Sequence, residues 1–376
     1  MAQILIIDDD PIIQLLLRHT LEKQGYQVTV AGNGQDGLAR AQQIRPALII
    51  CDWMMPLLDG IEVCRRLKSN AQLSATFFVL LTSRSDLADR IAGLNAGADE
   101  FLTKPIDMSE LQARVRAGLR LYHLHQDLQA QKQRLEAELA EAAQYVRSIL
   151  PAPLQSPIQI SSQFIPSRQL GGDCFDYYWL TPDTLILYLL DVSGHGLGAA
   201  LPSVSILNML RSQAFPGIDY QQPQEVLHAL NLRFAMSQEN PKYLTMWYGV
   251  YHVSRRELVY ASAGHPPALL VSDTSTLEMQ LLKTPGLPLG MFTEFDYVSQ
   301  SCKIAAHQTL YIFSDGIYEI DQANQEMLGL AGFSTLLKQM HQQGTPSIEQ
   351  ILAQIRRGCD RQGFTDDLAL MQISFP

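Results

Sequence analysis

The first 120 residues contain five short runs of apolar, β-prone sequence, and segments of helical periodicity separate one run from the next. These runs are ILIID (4–8), QVTVA (27–31), ALIICD (47–52), FFVLLT (77–82) and EFLTK (100–104). Near-continuous apolar strands that alternate with helices are typical of a parallel sheet covered on both faces. The pattern therefore predicts a doubly wound α/β domain with a five-stranded parallel sheet over residues 1–120.

Polar residues follow the predicted strands at their carboxyl ends, where doubly wound folds bind their ligands. They are Asp8, Asp9, Asp52, Thr82 and Lys104. Three carboxylates at one sheet edge repel each other unless a divalent cation neutralises them, and oxygen ligands suit Mg²⁺. Lys104 and Thr82 supply the positive charge and the hydroxyl donor that a phosphoryl group needs. We therefore expect a site for Mg²⁺ and a phosphoryl group.

Four motifs in this region, ILIIDDDP, DWMMPLLDG, LLTS and FLTKP, together resemble a response-regulator receiver domain over all of residues 1–120. The resemblance implies that a cognate histidine kinase is the partner and that Asp52 is the phosphorylated residue. It implies a Mg²⁺ ion held by Asp9, Asp52 and the Trp53 carbonyl group, with Asp8 assisting. It also implies a switch that senses the phosphoryl group, formed by Thr82, Lys104 and Phe101.

Residues 108–150 contain no proline and a single glycine, Gly118, which predicts one long helix. Apolar residues recur at steps of three and four, at Leu121, Leu124, Leu128, Leu135, Ala142 and Ile149. The remaining seam positions hold Gln131, Glu138 and Tyr145. This weak heptad is typical of a coiled coil, so we interpret residues 121–150 as a helical linker that forms the stalk of a homodimer. The alternative is a single helix that packs on its own domain.

The segment LPAPLQSP (150–157) breaks the predicted helix and opens a second domain over residues 151–376. Its strand-like runs are TLILYLLD, LTMWYGVYHV, ELVYASA, PALLVS, TLYIFSD and LALMQIS. Helical patterns interrupt these runs at 196–215, 223–238, 330–341 and 347–358. Strands at hairpin spacing together with paired helices predict an α+β sandwich of antiparallel sheets flanked by helices.

Aspartates of the second domain cluster at the ends of these predicted strands. The segment RQLGGDCFDYYW (168–179), taken alone, is most simply a turn, and its alternatives are a metal site and a damaged nucleotide-cyclase signature. A metal site is favoured because further carboxylates occupy strand ends, at Asp191, Asp315, Asp366 and Asp367. Their motifs contain no basic partner, so the pattern predicts two Mg²⁺ or Mn²⁺ ions bridged by one aspartate.

These motifs resemble the PPM-type metal-dependent protein serine/threonine phosphatases, specifically their bacterial SpoIIE-like branch, over about residues 145–376. The similarity extends to the segments ILPAP, MWYGVY, ASAGHPPALL and GLPLGM. The resemblance implies that Asp191 bridges both metals and that the Val192 carbonyl group contributes. The other implied ligands are Asp173 on one side and, on the other, Asp315, Asp366 and, as the weaker candidate of its pair, Asp367.

Two features depart from the family pattern. Ala369 stands where the family commonly has threonine, which affects fine positioning but removes no implied ligand. No arginine clamp for phosphate is obvious, and Arg168 is a candidate by sequence proximity, although we expect a surface role for it. His195 and His265 lie beside glycines, and we interpret them as structural turn residues rather than as acid or base.

The two resemblances together imply a response regulator whose output is a protein serine/threonine phosphatase. In this branch the usual substrate is a phosphorylated anti-anti-sigma (STAS) protein. One alternative is a catalytically weak interaction module with a phosphatase fold. A second alternative, a diguanylate cyclase, is disfavoured because Cys174 and Phe175 follow the Gly-Gly-Asp sequence where a cyclase has Glu-Phe.

Composition limits the partners and the compartment. A net charge of −10 without a Lys/Arg block argues against nucleic-acid binding. No uncharged apolar run approaches the ~20 residues of a membrane span, and MAQILIIDDD lacks the basic start of a signal peptide. The cysteines form no CxxC pair, which suits a reducing compartment; they are Cys51, Cys64, Cys174, Cys302 and Cys359. We expect a cytoplasmic protein without a membrane or nucleic-acid partner.

Overall fold

The computed structural model describes residues 2–83, 87–237, 241–272, 278–322, 326–358, 364 and 366–376. The chain divides into two compact units, Met1–Glu136 and Ala137–Pro376. The four cysteines in the described part of the chain are free, and Cys359 lies outside it.

The first unit is the predicted doubly wound domain. Its strands are β1 (Gln3–Ile7), β2 (Gln27–Ala31), β3 (Leu48–Asp52), β4 (Phe77–Thr82) and β5 (Glu100–Thr103). All neighbouring pairs are parallel, in the order β2-β1-β3-β4-β5. The helices between them are α1 (Pro11–Glu22), α2 (Gly34–Ile44), α3 (Gly60–Lys68) and α4 (Leu87–Asn95). This architecture confirms the prediction, and apolar cores lie on both faces of the sheet.

Side-chain caps begin three of these helices close to the carboxyl ends of the strands. The side chain of Asp10 accepts the Ile12 N–H at the start of α1, and Asn33 and Asp59 cap α2 and α3 in the same way. Each cap satisfies a backbone donor that has no partner within the helix.

Helix α5 (Met108–Ile149) is a single helix of 42 residues, as predicted, with a length of roughly 63 Å at the usual helical rise. The boundary between the two units falls inside it. Four seam leucines are each more than half exposed, namely Leu121, Leu124, Leu128 and Leu135. In the part of the chain that the structure describes, no helix combines the length and apolarity needed to cross a bilayer.

The second unit contains two five-stranded sheets, in which all neighbouring strands are antiparallel. The first has the order β13-β10-β9-β8-β7 and the second β12-β11-β14-β15-β6. The strands are β6 (Gln159–Ile165), β7 (Cys174–Thr181), β8 (Thr184–Val192), β9 (Leu244–His252), β10 (Glu257–Ala263), β11 (Ala268–Ser272), β12 (Met279–Leu282), β13 (Gln300–Lys303), β14 (Gln308–Phe313) and β15 (Leu368–Ser374). The helices are α6 (Leu197–Arg211), α7 (Pro223–Arg233), α8 (Gly329–His341) and α9 (Ile348–Gly358).

The two sheets pack face to face around one apolar core, to which the first sheet contributes Trp247 and the second Met371. Helices α6 and α7 cover the outer face of the first sheet, and α8 and α9 cover the outer face of the second. The α+β sandwich predicted from the sequence is therefore confirmed. Its layers bring the ends of β8 and β14 and the start of β7 and β15 to the region where the aspartates lie.

Candidate functional sites

The first candidate site lies at the carboxyl edge of the parallel sheet. One carboxylate oxygen from each of Asp8, Asp9 and Asp52 lies within 4.8 Å of the others. Asp8 and Asp52 are buried and Asp9 is exposed, so the set offers oxygen ligands with access to water, as Mg²⁺ requires. The Trp53 carbonyl oxygen accepts the Gly60 N–H at 2.9 Å and keeps a second lone pair. The donor set therefore fits Mg²⁺.

Lys104 brings a positive charge to these carboxylates. Its Nζ lies 2.9 Å from Asp52 Oδ1 and 3.1 Å from Asp8 Oδ2. Burial raises the pKa of Asp52, although its hydrogen bond with Lys104 opposes the shift. Burial alone would lower the pKa of Lys104. The negative charges of Asp52 and Asp8, and their hydrogen bonds to Lys104, outweigh burial, so the pKa of Lys104 is raised. The Lys104 N–H donates to the Thr82 carbonyl at 2.8 Å, which fixes both residues at the same sheet edge.

The remaining switch candidates are buried in the same unit. Thr82 ends β4 with 2% of its surface exposed, and Phe101 on β5 is 8% exposed. A Cβ atom at Gly93 of α4 would lie 2.6 Å from the Phe101 ring, so this ring packs directly on the helix backbone. The structure thus places Phe101 in an inward position, next to the strand that carries Thr82.

The second candidate site is built around the two glycines that precede Asp173. A Cβ atom at Gly171 would lie 2.5 Å from Asp367 Oδ2, and one at Gly172 would lie 2.5 Å from the Val192 carbonyl oxygen. Neither position has room for a side chain. The glycines therefore let the start of β7 approach two other loops that carry predicted ligands.

Three aspartates of this site, Asp173, Asp191 and Asp315, have raised pKa values. Asp173 is 3% exposed, and its Oδ2 has no hydrogen-bond partner among the described residues. Burial first and neighbouring carboxylates second raise the pKa of Asp191 to about 7 and that of Asp315 to about 6. The same causes raise the pKa of Asp173 well above its usual range. A buried carboxylate oxygen without a partner, in an all-oxygen cluster, fits a divalent cation.

The last strand brings two further predicted residues to this site. Asp366 is exposed, whereas Asp367 is buried and accepts hydrogen bonds from Ser167 and Gly172. At the next loop, the Ala369 N–H donates to Ser314 Oγ at 2.9 Å, so the backbone after Asp367 is tied to the residue before Asp315. The structure therefore brings together the segments that carry Asp173, Asp191, Asp315 and the Asp366–Asp367 pair.

The histidines and the arginine of these motifs lie in different surroundings. His195 is exposed, and His265 is fully buried, where burial lowers its pKa to about 4. Arg168 is exposed and directly follows Ser167, whose backbone is bound to Asp367. The backbone of Arg168 therefore lies next to the segment that Asp367 binds.

One ion pair near the site, between a buried aspartate and an exposed arginine, was not found from the sequence. Asp176, fully buried on β7, binds Arg211 through Nε–Oδ2 and Nη2–Oδ1 contacts of 2.6 and 2.9 Å. Arg211 is the last residue of α6, and the first residue of that helix follows the Val192 loop. An aspartate in an apolar strand signals that a partner exists, but the sequence does not identify which of the basic residues it is.

The end of α5 contacts the segment that carries Asp173. Its apolar residues pack against Leu170, which precedes the two glycines, and Ala200 on α6. These residues of α5 are Leu139, Ala142, Ala143 and Val146. Movement of the helix end would therefore act directly on the Gly171–Gly172 segment.

Two family descriptions match the chain. Stage II sporulation protein E (SpoIIE) matches residues 181–376, which is more than half of the chain, and the response regulator receiver domain matches residues 4–116. In fold, the chain is similar to the SiaA-PP2C domain of Pseudomonas aeruginosa, with a TM-score of 0.57 and 22% identity. That similarity covers 66% of this chain and 99% of the domain.

Two curated relatives each match about a third of the chain. The chain is 46% identical over 120 residues to the DNA-binding dual master transcriptional regulator RpaA of Synechocystis sp., covering 32% of this chain and 50% of RpaA. It is 41% identical over 118 residues to the alkaline phosphatase synthesis transcriptional regulatory protein PhoP of Bacillus subtilis, covering 31% and 48%. The chain thus spans about half the length of these relatives, and the shared part corresponds to the receiver domain.

Proposed function

Because this chain belongs to the SpoIIE family of PPM-type phosphatases and begins with a receiver domain, we propose that it is a response regulator whose output is metal-dependent hydrolysis of phosphoserine or phosphothreonine in proteins. The observation that carries this proposal is the buried Asp173 oxygen without a partner, within a cluster of aspartates whose pKa values are raised. We divide the chain into a receiver domain (1–120), a helical linker (121–150) and a phosphatase domain (151–376).

The direct test is phosphate release from a phosphoserine peptide by the full chain in MnCl₂, in MgCl₂ and in EDTA. Activity with either metal and none in EDTA is the expected result. Peptide binding without phosphate release would instead favour the alternative of a catalytically weak interaction module. Incubation with GTP tests the cyclase alternative, for which we expect no cyclic dinucleotide.

The chain's own residues would hold two Mn²⁺ or Mg²⁺ ions from four segments. Asp191 at the end of β8 would bridge both ions, together with the Val192 carbonyl group, and Asp173 would bind from the start of β7. The remaining carboxylates come from the end of β14, as Asp315, and from the residues just before β15, as Asp366. When bound, the cations would activate a water molecule and neutralise the negative charge of the phosphoryl group. The aspartates fix their positions on strand ends that the sandwich core holds rigidly.

Arg168 is the phosphate-binding candidate of this proposal. It is exposed, and Ser167 anchors its backbone to Asp367 through a 2.7 Å hydrogen bond. A guanidinium group there can donate two hydrogen bonds to phosphoryl oxygens. The proposed role therefore rests on its place beside the cluster.

For the receiver, we propose that a histidine kinase phosphorylates Asp52 and that Mg²⁺ binds Asp8, Asp9, Asp52 and the Trp53 carbonyl group. Thr82, Lys104 and Phe101 would rearrange around the phosphoryl group. Membership of the SpoIIE family supports a phosphorylated STAS-type anti-anti-sigma protein as the substrate. Comparing turnover on such a protein with turnover on a phosphoserine peptide of the same sequence tests whether the folded partner is recognised.

We further propose that α5 forms a homodimer and couples the two sites. Its four seam leucines are exposed, so a second copy of the helix could cover them. The polar residues Gln131 and Glu138 in the seam would weaken the pairing of the two helices. A marginally stable pairing can shift between two arrangements when the receiver is phosphorylated. The contact of α5 with Leu170 and Ala200 would carry this shift to the Asp173 segment.

An insertion in α5 tests this coupling. Inserting three or four residues near Gln131 rotates one half of the helix against the other by roughly 40–60°. We expect the response of phosphatase turnover to acetyl phosphate to disappear, while receiver phosphorylation and basal turnover persist. A seven-residue insertion, which nearly preserves the helical phase, is the matched control and should retain the response. Light scattering measures the mass in parallel; a monomeric wild type, or a four-residue insertion that responds normally, would contradict the proposal.

The aspartate cluster also predicts how stability depends on pH and metal. The pKa values of Asp191 and Asp315, about 7 and about 6, exceed the 3.8 of an unperturbed aspartate. Their protonated forms are therefore favoured in the folded state, and the stability they contribute is lost progressively as the pH rises from about 4 to about 7. In EDTA, the melting temperature of the second unit should fall by about 5 °C or more between pH 5 and pH 8.

Adding MnCl₂ at pH 8 should reverse this loss, because the cation binds the deprotonated carboxylates. Calorimetry at both pH values, with and without metal, measures the effect. The Asp191→Asn variant is the control, since it removes one of the titrating groups and should flatten the pH dependence. An unchanged pH dependence in this variant would show that the aspartate cluster is not its source.

A further inference from the structure

Asp367 differs from the other aspartates of the cluster in the number of donors that it binds. Its Oδ1 accepts the Ser167 N–H at 2.7 Å and the Ser167 hydroxyl at 2.8 Å. Its Oδ2 accepts the Gly172 N–H at 2.7 Å. These donors take three of the roughly four lone-pair positions of a carboxylate. Asp367 is only 3% exposed, so solvent does not compete for these hydrogen bonds.

The neighbouring Asp366 has the opposite character. It is exposed, and its Oδ1 accepts the Asp367 N–H at 2.8 Å. The two adjacent aspartates therefore differ in what they can bind. The Asp366 carboxylate is accessible to a ligand, whereas the Asp367 carboxylate already accepts hydrogen bonds from backbone and hydroxyl donors.

The donors that Asp367 binds lie on both sides of the Arg168–Gly171 segment, about 200 residues earlier in the chain. Hydrogen bonds to a charged acceptor are stronger than neutral ones, so this carboxylate fixes the segment firmly. Gly171 confirms how closely the two approach, since its missing Cβ would lie 2.5 Å from Asp367 Oδ2. The next residue after Gly172 is Asp173, the aspartate with the unpartnered oxygen.

We propose that Asp367 is a positioning residue that holds the Gly171–Gly172 segment so that Asp173 reaches the metals, and that it does not ligate a metal itself. This inference rests on the proposed function. The family resemblance implies that Asp367 is the weaker candidate for a metal ligand in its pair, and the positioning role replaces that role. Of the two aspartates before the last strand, Asp366 is then a metal ligand and Asp367 a positioning residue.

Calorimetric titration of the full chain with MnCl₂ separates the two roles. Asp367→Asn should still bind three Mn²⁺ ions per chain, two at the aspartate cluster and one at the receiver carboxylates. The affinity of the cluster and kcat should each fall about 10–100-fold, as is usual when a residue that orients a ligand is changed. KM for the phosphoserine peptide should rise as well, because the same hydrogen bonds anchor Arg168, the proposed phosphate-binding residue. Asp366→Asn, the matched control, should lose one ion at any MnCl₂ concentration tested.

Ser167→Ala supplies a second, milder test, since it removes only the hydroxyl donor to Asp367 Oδ1. It should lower the Mn²⁺ affinity in the wild-type background and have a smaller effect in Asp367→Asn, because an amide oxygen accepts the same hydroxyl more weakly than a carboxylate does. Loss of one Mn²⁺ ion in Asp367→Asn, or wild-type affinity and turnover in that variant, would overturn the proposal.

Should Asp367→Asn fail to fold, Ser167→Ala alone decides: an unchanged Mn²⁺ affinity would overturn the positioning role. A wild type that binds three Mn²⁺ ions but releases no phosphate would refute the proposed function. The ion count in the variants would still assign the role of Asp367 in that case, so the two failures are distinguishable.

Discussion

Asp191→Ala is expected to abolish phosphoserine hydrolysis, with a loss of at least about 1,000-fold in kcat, while the protein stays folded. The expected loss is large because the proposed site uses this one carboxylate to bind both cations. The fold should persist because the substitution removes a carboxyl group whose negative charge is unfavourable in the folded state. Burial and neighbouring carboxylates raise the pKa of this group to about 7. Without a cation, removing that charge relieves repulsion within the cluster.

The measurement is single-turnover and steady-state phosphate release, together with a thermal unfolding curve in EDTA. Asp296→Ala, which removes an exposed aspartate of the same unit, is the control and should keep wild-type turnover. Near-normal hydrolysis by Asp191→Ala would show that the bridging role has been assigned to the wrong residue. A lower melting temperature for Asp191→Ala than for wild type in EDTA at pH 8 would contradict the repulsion argument.

Asp52→Asn is expected to eliminate labelling of the chain by acetyl phosphate. An amide oxygen cannot form the aspartyl phosphate, because it is not the nucleophile that this chemistry requires. Lys104 should remain in place in the variant, since its Nζ also contacts Asp8 at 3.1 Å. Basal phosphatase turnover should therefore persist, and only its response to the phosphodonor should vanish.

Labelling is measured by mass spectrometry of the intact chain after incubation with Mg²⁺ and acetyl phosphate. Asp10→Asn is a close control: Asp10 is exposed, and asparagine can replace it as the N-cap of α1. Equal labelling of wild type and Asp52→Asn would place the acceptor at another residue. Loss of labelling in Asp10→Asn would show that the effect comes from disturbing the loop.

The elements whose periodicity is local were predicted well from the sequence. All five strands of the first unit lie within one or two residues of the predicted runs, because each run is rich in β-prone residues and four of the five end at a polar residue. The long helix was predicted to begin at Met108, as it does, and it ends one residue before the predicted Leu150, because proline follows there. The loops that carry Asp173, Asp191 and Asp315 were also identified correctly as strand ends.

Contacts between distant segments could not be predicted in the same way. The pairing of Asp176 with Arg211 depends on how α6 crosses the sheet, which the local sequence does not specify. The hydrogen bonds of Asp367 join residues about 200 positions apart, and a run of Asp-Asp carries no signal of which carboxylate is open. The contact of α5 with Leu170 likewise becomes visible only in three dimensions.

The glycines before Asp173 change how activity should be judged in related sequences. A relative that keeps every aspartate but carries alanine at the position of Gly171 or Gly172 would place a methyl group 2.5 Å from a carboxylate or a carbonyl oxygen. The loops would have to separate, and the retained aspartates could no longer meet. Such relatives would be inactive binding proteins with an apparently complete signature. To recognise an inactive member among these phosphatases, one must therefore check that both glycines are present as well as the aspartates.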